Sequence, residues 1–253
     1  YNLICLSSTA KIIEKDQHDF HPGNITLYGG IIYDIDTVQM KVLAQSSNSN
    51  PVQKEWLSYY SSRSLPGDLN RSGEWNFLKG TEEEVNILEK LAKKNNIKAT
   101  MITGASANEE SLKVLSRKNT PEIIHIATHG FFFPDPKDSP GKEINDQNQV
   151  FRLSDNPLFR SGIIMAGANL AWKGEPSPNG VDDGILTAYE VSNMNLPDTK
   201  LVVLSACETG LGDIKGSEGV YGLQRAFKIA GTKYLIMSLW KVPDRETVEF
   251  MQT

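Results

Sequence analysis

Two side chains in this sequence have the type and placement for covalent chemistry, Cys207 and His129. Cys207 sits in Leu204-Ser205-Ala206-Cys207-Glu208-Thr209-Gly210, just beyond the apolar run Leu201-Val202-Val203. Seventy-eight residues earlier, Thr128-His129-Gly130 closes the run Ile123-Ile124-His125-Ile126-Ala127. Each half reads as a buried strand that delivers one reactive side chain to its C-terminal end. Parallel α/β sheets build their sites in the crevice beyond the carboxyl ends of the strands, where loops from different strands converge. A cysteine acts as a nucleophile in its thiolate form, and a nearby imidazolium favours that form by lowering the thiol pKa. A small residue before the cysteine and Gly130 after the histidine suit a site that substrate backbone must approach closely. The alternative is that Cys207 is a small buried hydrophobe and His129 a turn residue, since free cysteine is among the most buried residue types.

The elements that must position this pair follow from periodicity and caps. Thr81-Glu82-Glu83-Glu84 has the form of a capping box, and Val85, Leu88, Leu91 and Ala92 follow at helical spacing as far as Asn95-Asn96. Residues 97–103 read as a strand ending at Gly104, and a second capping box from Ser106 to Glu109 opens a helix carrying Leu112 and Leu115. The His129 strand comes next, so the order is strand, helix, strand, helix, strand, the signature of a parallel sheet with right-handed crossovers. Residues 134–156 have loop composition, Gly162-Ile163-Ile164-Met165-Ala166 reads as a strand, and residues 185–194 read as a helix leading back to the sheet. After Cys207 the chain is dense in glycine. Val220, Leu223, Phe227 and Ala230 then mark a helix face ending at Gly231, residues 234–240 form another buried-strand pattern, and Pro243-Asp244 starts a further helix.

Upstream, residues 1–7 and 25–28 read as short strands, and residues 46–80 as a long surface excursion pinned by Trp56, Tyr59, Tyr60 and Trp75. The expected organisation is one domain over 1–253, with N-terminal strands and a variable excursion over 1–80 and a catalytic core over 81–253. Because the sequence stops at Thr253 inside a helix pattern, it is expected to be a fragment truncated at both ends.

Composition narrows the classes. With 253 residues, 39% hydrophobic and 23% charged, the chain can bury a full core. No apolar run approaches the ~20 residues of a membrane span and no signal-peptide pattern opens the sequence, so a cytoplasmic protein without membrane contact is expected. The net charge of −5, with Lys93, Lys94 and Lys98 scattered among acids, argues against direct nucleic-acid binding. Only Cys5 and Cys207 are present, too few for a disulfide scaffold. His18 and His21 beside Asp16 and Asp19 lack an element to fix them as a metal site, so no metal is expected.

Two competing motifs fail on spacing. Gly210-Leu211-Gly212-Asp213-Ile214-Lys215-Gly216 sets its third glycine one residue too far for a dinucleotide fingerprint, and Gly141-Lys142-Glu143 lacks the upstream glycine and the Ser/Thr of a phosphate loop. A nucleotide-binding α/β domain therefore remains only as an alternative. The serine-hydrolase elbow is absent around Ser205, where Val203 takes the place of its first glycine.

Longer words then accumulate in order: His125-Ile126-Ala127-Thr128-His129-Gly130, Ala166-Gly167-Ala168-Asn169, Asp183-Gly184-Ile185-Leu186-Thr187-Ala188, Leu204 through Gly212, Glu218-Gly219-Val220-Tyr221-Gly222-Leu223 and Ser238-Leu239-Trp240. From about Leu27 to the C-terminus the sequence resembles the CHAT domain, a caspase-like and separase-related family of cysteine peptidases that commonly follows tetratricopeptide repeats in bacterial proteins. The resemblance implies a caspase-like three-layer α/β sandwich with a mostly parallel central sheet flanked by helices. It implies Cys207 as nucleophile, His129 as general base and acid, the amides of Gly130 and Cys207 as the oxyanion hole, and no cofactor. His125 is the rival histidine, but four strand residues at ~3.3 Å each set it about 13 Å back along the strand and inside the sheet. Caspases place their histidine about 50 residues before the cysteine, so the wider spacing here implies an insertion, which fits the 134–156 loop.

The same resemblance points to hydrolysis of a protein substrate through a thioester, with Ser238, Leu239, Trp240 and Lys241 as the edge along which an extended substrate pairs. Asp244 resembles the acidic residue by which separase meets the basic side chain before the scissile bond; the other reading is that it caps the following helix. The enzyme is expected to be held in check until an activating partner or an N-terminal repeat domain docks, with the 134–156 loop completing or blocking the site. The remaining alternative is a catalytically silent CHAT-type signalling or scaffold module.

Overall fold

The computed structural model describes residues 21–46, 74–116, 120–132, 157–206 and 218–237. In chain order the elements are β1 (Asn24–Ile31), α1 (Thr37–Ser46), α2 (Lys79–Lys94), β2 (Lys98–Gly104), α3 (Glu109–Lys113), β3 (Ile123–Thr128) and β4 (Gly130–Phe132). A 3-10 turn (Pro157–Phe159) leads into β5 (Ser161–Ile164), α4 (Ala168–Trp172), β6 (Ile185–Thr187), α5 (Ala188–Ser192), β7 (Leu201–Ala206), α6 (Glu218–Ile229) and β8 (Tyr234–Met237).

Among the described residues five strands form the central sheet in the order β2-β1-β3-β7-β8, and every neighbouring pair is parallel. A smaller antiparallel sheet runs β4-β5-β6. Alternation along the central strands sorts their side chains into two layers. Leu27 and Ala127 pack with Val85 of α2 on one face. Tyr28, Ile124, Ile126, Val202 and Leu204 join Ile163, Val191, Leu223 and Phe227 on the other. The result is the α/β sandwich expected, a parallel sheet flanked by helices. Helix α2 sits close enough to β1 that a Cβ on Gly29 would lie 2.5 Å from the Thr81 carbonyl, which is why a glycine stands there. β1 lies between β2 and β3 and so forms part of the central sheet.

Several local expectations change under tertiary contact. α2 begins at Lys79 rather than at Thr81, with Leu78 as its N-cap and no side-chain cap. The Thr81 hydroxyl accepts from the Gly30 amide at 3.0 Å and donates to the Leu78 carbonyl at 2.7 Å, so bonding to β1 displaces the capping role. α3 is capped by Asn108, whose side chain accepts from the Ser111 amide at 3.0 Å, and Glu109 is drawn into a buried charge cluster instead. The segment expected as one helix over 185–194 divides into β6 and α5, with a true capping box between Thr187 and Glu190 at the junction. β8 is half-exposed rather than buried: it is the last strand in the sheet order among the described residues, and Tyr234 and Ile236 are 45% and 52% exposed.

Among the described residues, no helix is long and apolar enough to cross a membrane. The strand expected over 1–7, His18, most of the 46–80 excursion, the 134–156 loop, the glycine-dense segment over 210–216 and the helix after Asp244 lie outside the described residues.

Candidate active site

β3 and β7 are adjacent and in register, Ile123 opposite Leu201 and Thr128 opposite Ala206. Neighbouring strands lie about 4.8 Å apart. The chain therefore leaves both strands at the same level, at their carboxyl ends. His129 is the first residue beyond β3. Cys207 is bonded to Ala206 but lies outside the described residues, as do Ser238, Leu239, Trp240, Lys241 and Asp244.

His129 is held firmly. It is buried, at 7% exposure, and its ring lies between Tyr33 and Trp75, at centroid distances of 5.1 Å and 4.9 Å. Its Nε2 is 2.8 Å from the carbonyl oxygen of Asn76. A carbonyl can only accept, so Nε2 carries a proton, and in the neutral form of the ring the basic lone pair is on Nδ1. The backbone is fixed too, since the His129 carbonyl accepts from the Ile164 amide at 2.9 Å. One residue back, the Thr128 hydroxyl donates to the Ile164 carbonyl and receives the Tyr33 phenol proton at 3.0 Å. Gly130 opens β4 opposite Ile163, so the sequence turns from the parallel sheet into the antiparallel one at the histidine.

His125 has a different occupation. Its Nε2 lies 2.6 Å from Glu84 Oε1, and Glu84 Oε2 accepts from the Ser205 hydroxyl at 3.0 Å. All three groups are buried. One carboxylate on α2 thus ties β3 to β7, the two strands that lead to His129 and Cys207. His125 lies inside the sheet, as its offset from the strand end requires, and it serves there as a polar tie rather than a volume-filling core residue.

A second buried cluster lies beside the small sheet. Lys113 Nζ is 2.9 Å from Glu109, 3.1 Å from Asp182 and 3.1 Å from Glu190. Glu110 accepts from the Asp182 amide at 2.9 Å, and Asp183 accepts from the Ile185 amide at 2.9 Å. One cation faces five carboxylates. Burial, with like charges beside them, pushes Glu109 well above the usual carboxylate range, Glu110 up to about 7 and Asp183 up to about 6. Lys113 is driven well above its ordinary value, because the carboxylates outweigh the burial that would lower it. Among the described residues no group of three or more His, Cys, Asp or Glu side chains is arranged to hold a metal ion.

Nothing in residue type or spacing marks Asn76, Tyr33 or Glu84 as partners of the two histidines. Asn76 acts through its backbone carbonyl, which no residue type advertises. In the sequence Trp75 reads only as an aromatic pin, and Glu84 only as a helix cap.

The CHAT domain family model matches residues 31–253 of the chain. No curated protein and no solved structure matches it.

Proposed function

The chain belongs to the CHAT domain family, which is related to the caspase-like cysteine peptidases, and from that premise we propose that it is a cysteine endopeptidase with Cys207 as nucleophile and His129 as general base and acid. The observation that supports the reading is the register of Thr128 against Ala206, the residues that precede His129 and Cys207, on adjacent parallel strands. The orientation of the imidazole supports it. With Nε2–H bonded to Asn76, the basic atom is Nδ1, and no further proton shift is needed before it accepts one.

The reaction follows from these groups. His129 Nδ1 takes the proton from Cys207 Sγ, and the thiolate adds to the scissile carbonyl carbon. The amides of Gly130 and Cys207 hold the oxyanion, a contribution typically of a few kcal/mol to the barrier. Collapse breaks the C–N bond, and His129 returns its proton to the leaving amine. Water, deprotonated by His129, then cleaves the thioester and restores the thiol.

In this reading Ser238, Leu239, Trp240 and Lys241, which continue the chain from β8, pair with an extended protein substrate, and Asp244 selects a basic residue before the scissile bond. In the cytoplasm the enzyme stays restrained until an activating partner or an N-terminal repeat domain docks. An unbiased cleavage-site profile of wild type against Cys207→Ala tests the proposal. Peptide bonds cut only by wild type support it, with Asp244→Asn depressing cleavage after Arg or Lys. Identical profiles, with no bond cut by either protein in the presence of its flanking domain, would assign the chain to the silent-module reading.

A further inference from the structure

The Asn76 carbonyl that orients His129 belongs to a short strap, residues 74–77, with no helix or strand of its own. An irregular segment can hold a catalytic ring in one tautomer only if it is itself held. The contacts that hold it come chiefly from α4. Asn169, fully buried, accepts from the Trp75 amide at 2.9 Å through Oδ1 and donates to the Trp75 carbonyl at 3.1 Å through Nδ2. The primary amide thus grips both backbone groups of the residue before Asn76. Its second Nδ2 proton goes to Asp34 at 3.0 Å, and its own backbone amide donates to the Tyr33 carbonyl at 3.1 Å. The neighbours add to the grip: the Trp172 ring lies 4.9 Å from the Trp75 ring, and Lys173 pairs with Glu74 at 2.7 Å.

We propose that Asn169 is a positioning residue for His129, acting through the backbone of Trp75 and Asn76 to keep the imidazole proton on Nε2. This rests on the peptidase reading for its consequence, but the positioning itself does not. Asparagine suits the task because one planar group supplies an acceptor and two donors, and no charged or apolar isostere offers that set. Leucine removes all three side-chain bonds. Aspartate keeps the acceptor for the Trp75 amide and sets a second oxygen against the Trp75 carbonyl and the Asp34 carboxylate, where repulsion replaces two hydrogen bonds.

The test compares wild type, Asn169→Leu and Asn169→Asp in the full chain by ring 15N and 13C NMR of the histidines. His125 serves as an internal control, because its bond to Glu84 involves no residue of the strap. The proposal expects His129 to lose its single Nε2–H tautomer in both variants while His125 keeps its wild-type signals. It also expects labelling of Cys207 by an electrophilic peptide probe to slow by about 10- to 100-fold, as misplacement of a catalytic group does. A His129 that keeps its tautomer in folded Asn169→Asp overturns the proposal, and so does simultaneous loss of both histidine signatures in both variants, which would make Asn169 a general stability residue. If wild-type Cys207 does not label at all, the peptidase reading fails, and the tautomer measurement still decides the role of Asn169.

Discussion

The imidazole of His125 and the carboxylate of Glu84 meet at 2.6 Å inside the sheet, and the same carboxylate receives the Ser205 hydroxyl at 3.0 Å. The two histidines of His125-Ile126-Ala127-Thr128-His129-Gly130 are thereby divided. One joins strands, and the other is presented at their end. Removing Glu84 leaves two polar groups buried without their acceptor. Glu84→Leu should therefore lower stability by about 3 kcal/mol or more, whereas Glu84→Gln, which keeps polar atoms near both partners, should cost less. Denaturant unfolding of the two variants against wild type measures the difference, and equal stability of Glu84→Leu and wild type would remove the tie from the account.

The carboxylates around Lys113 predict a pH dependence of known sign. Glu110 is raised from 4.5 to about 7 by burial and by Asp182, so in that window the folded protein holds a proton that the unfolded chain has released. Stability from this group is full below about pH 4.5 and is lost as pH rises through about 7, at up to ~1.4 kcal/mol per pH unit. Glu110→Gln keeps an acceptor for the Asp182 amide without the charge. It should match wild type near pH 4.5 and exceed it in stability at pH 8. Unfolding midpoints of both proteins across this range check it, and a constant offset at every pH would contradict the assignment.

Gly184, inside Asp183-Gly184-Ile185-Leu186-Thr187-Ala188, has φ +81°, and a Cβ there would lie 2.6 Å from the Ala168 amide nitrogen. Its carbonyl accepts from the Met165 amide at 2.7 Å, where β5 passes to α4. Gly184→Ala should cost about 2–4 kcal/mol, since strain at positive φ adds to a backbone clash. Gly180, also at positive φ with open space around it, is the control. Gly180→Ala should be the milder of the two by thermal unfolding.

Much of the scaffold was legible because strand runs such as 123–127 and 201–203 are apolar and short, and helices with glycine or asparagine stops separate the first of them. The strand ends pointed to His129 and Cys207 for the same reason. What periodicity could not reveal was the use of side chains across elements. Thr81 and Glu84 have the spacing of a capping box, yet β1 and β3 offer them better partners. The division of 185–194 was hidden because Ile185 and Leu186 fit a helix face as well as a strand. The strap was unreadable because its function rests on the Asn76 carbonyl and on an asparagine more than 90 positions away, a relation that local pattern does not carry.

Whether His129 serves Cys207 is read from the labelling rate of Cys207 by an electrophilic peptide probe, with Cys5 as the internal comparison. Cys207 should label selectively over Cys5, and the rate should fall about 100-fold or more in His129→Ala, the usual scale for loss of a general base. Equal labelling of the two cysteines, or a His129→Ala rate equal to wild type, would contradict it.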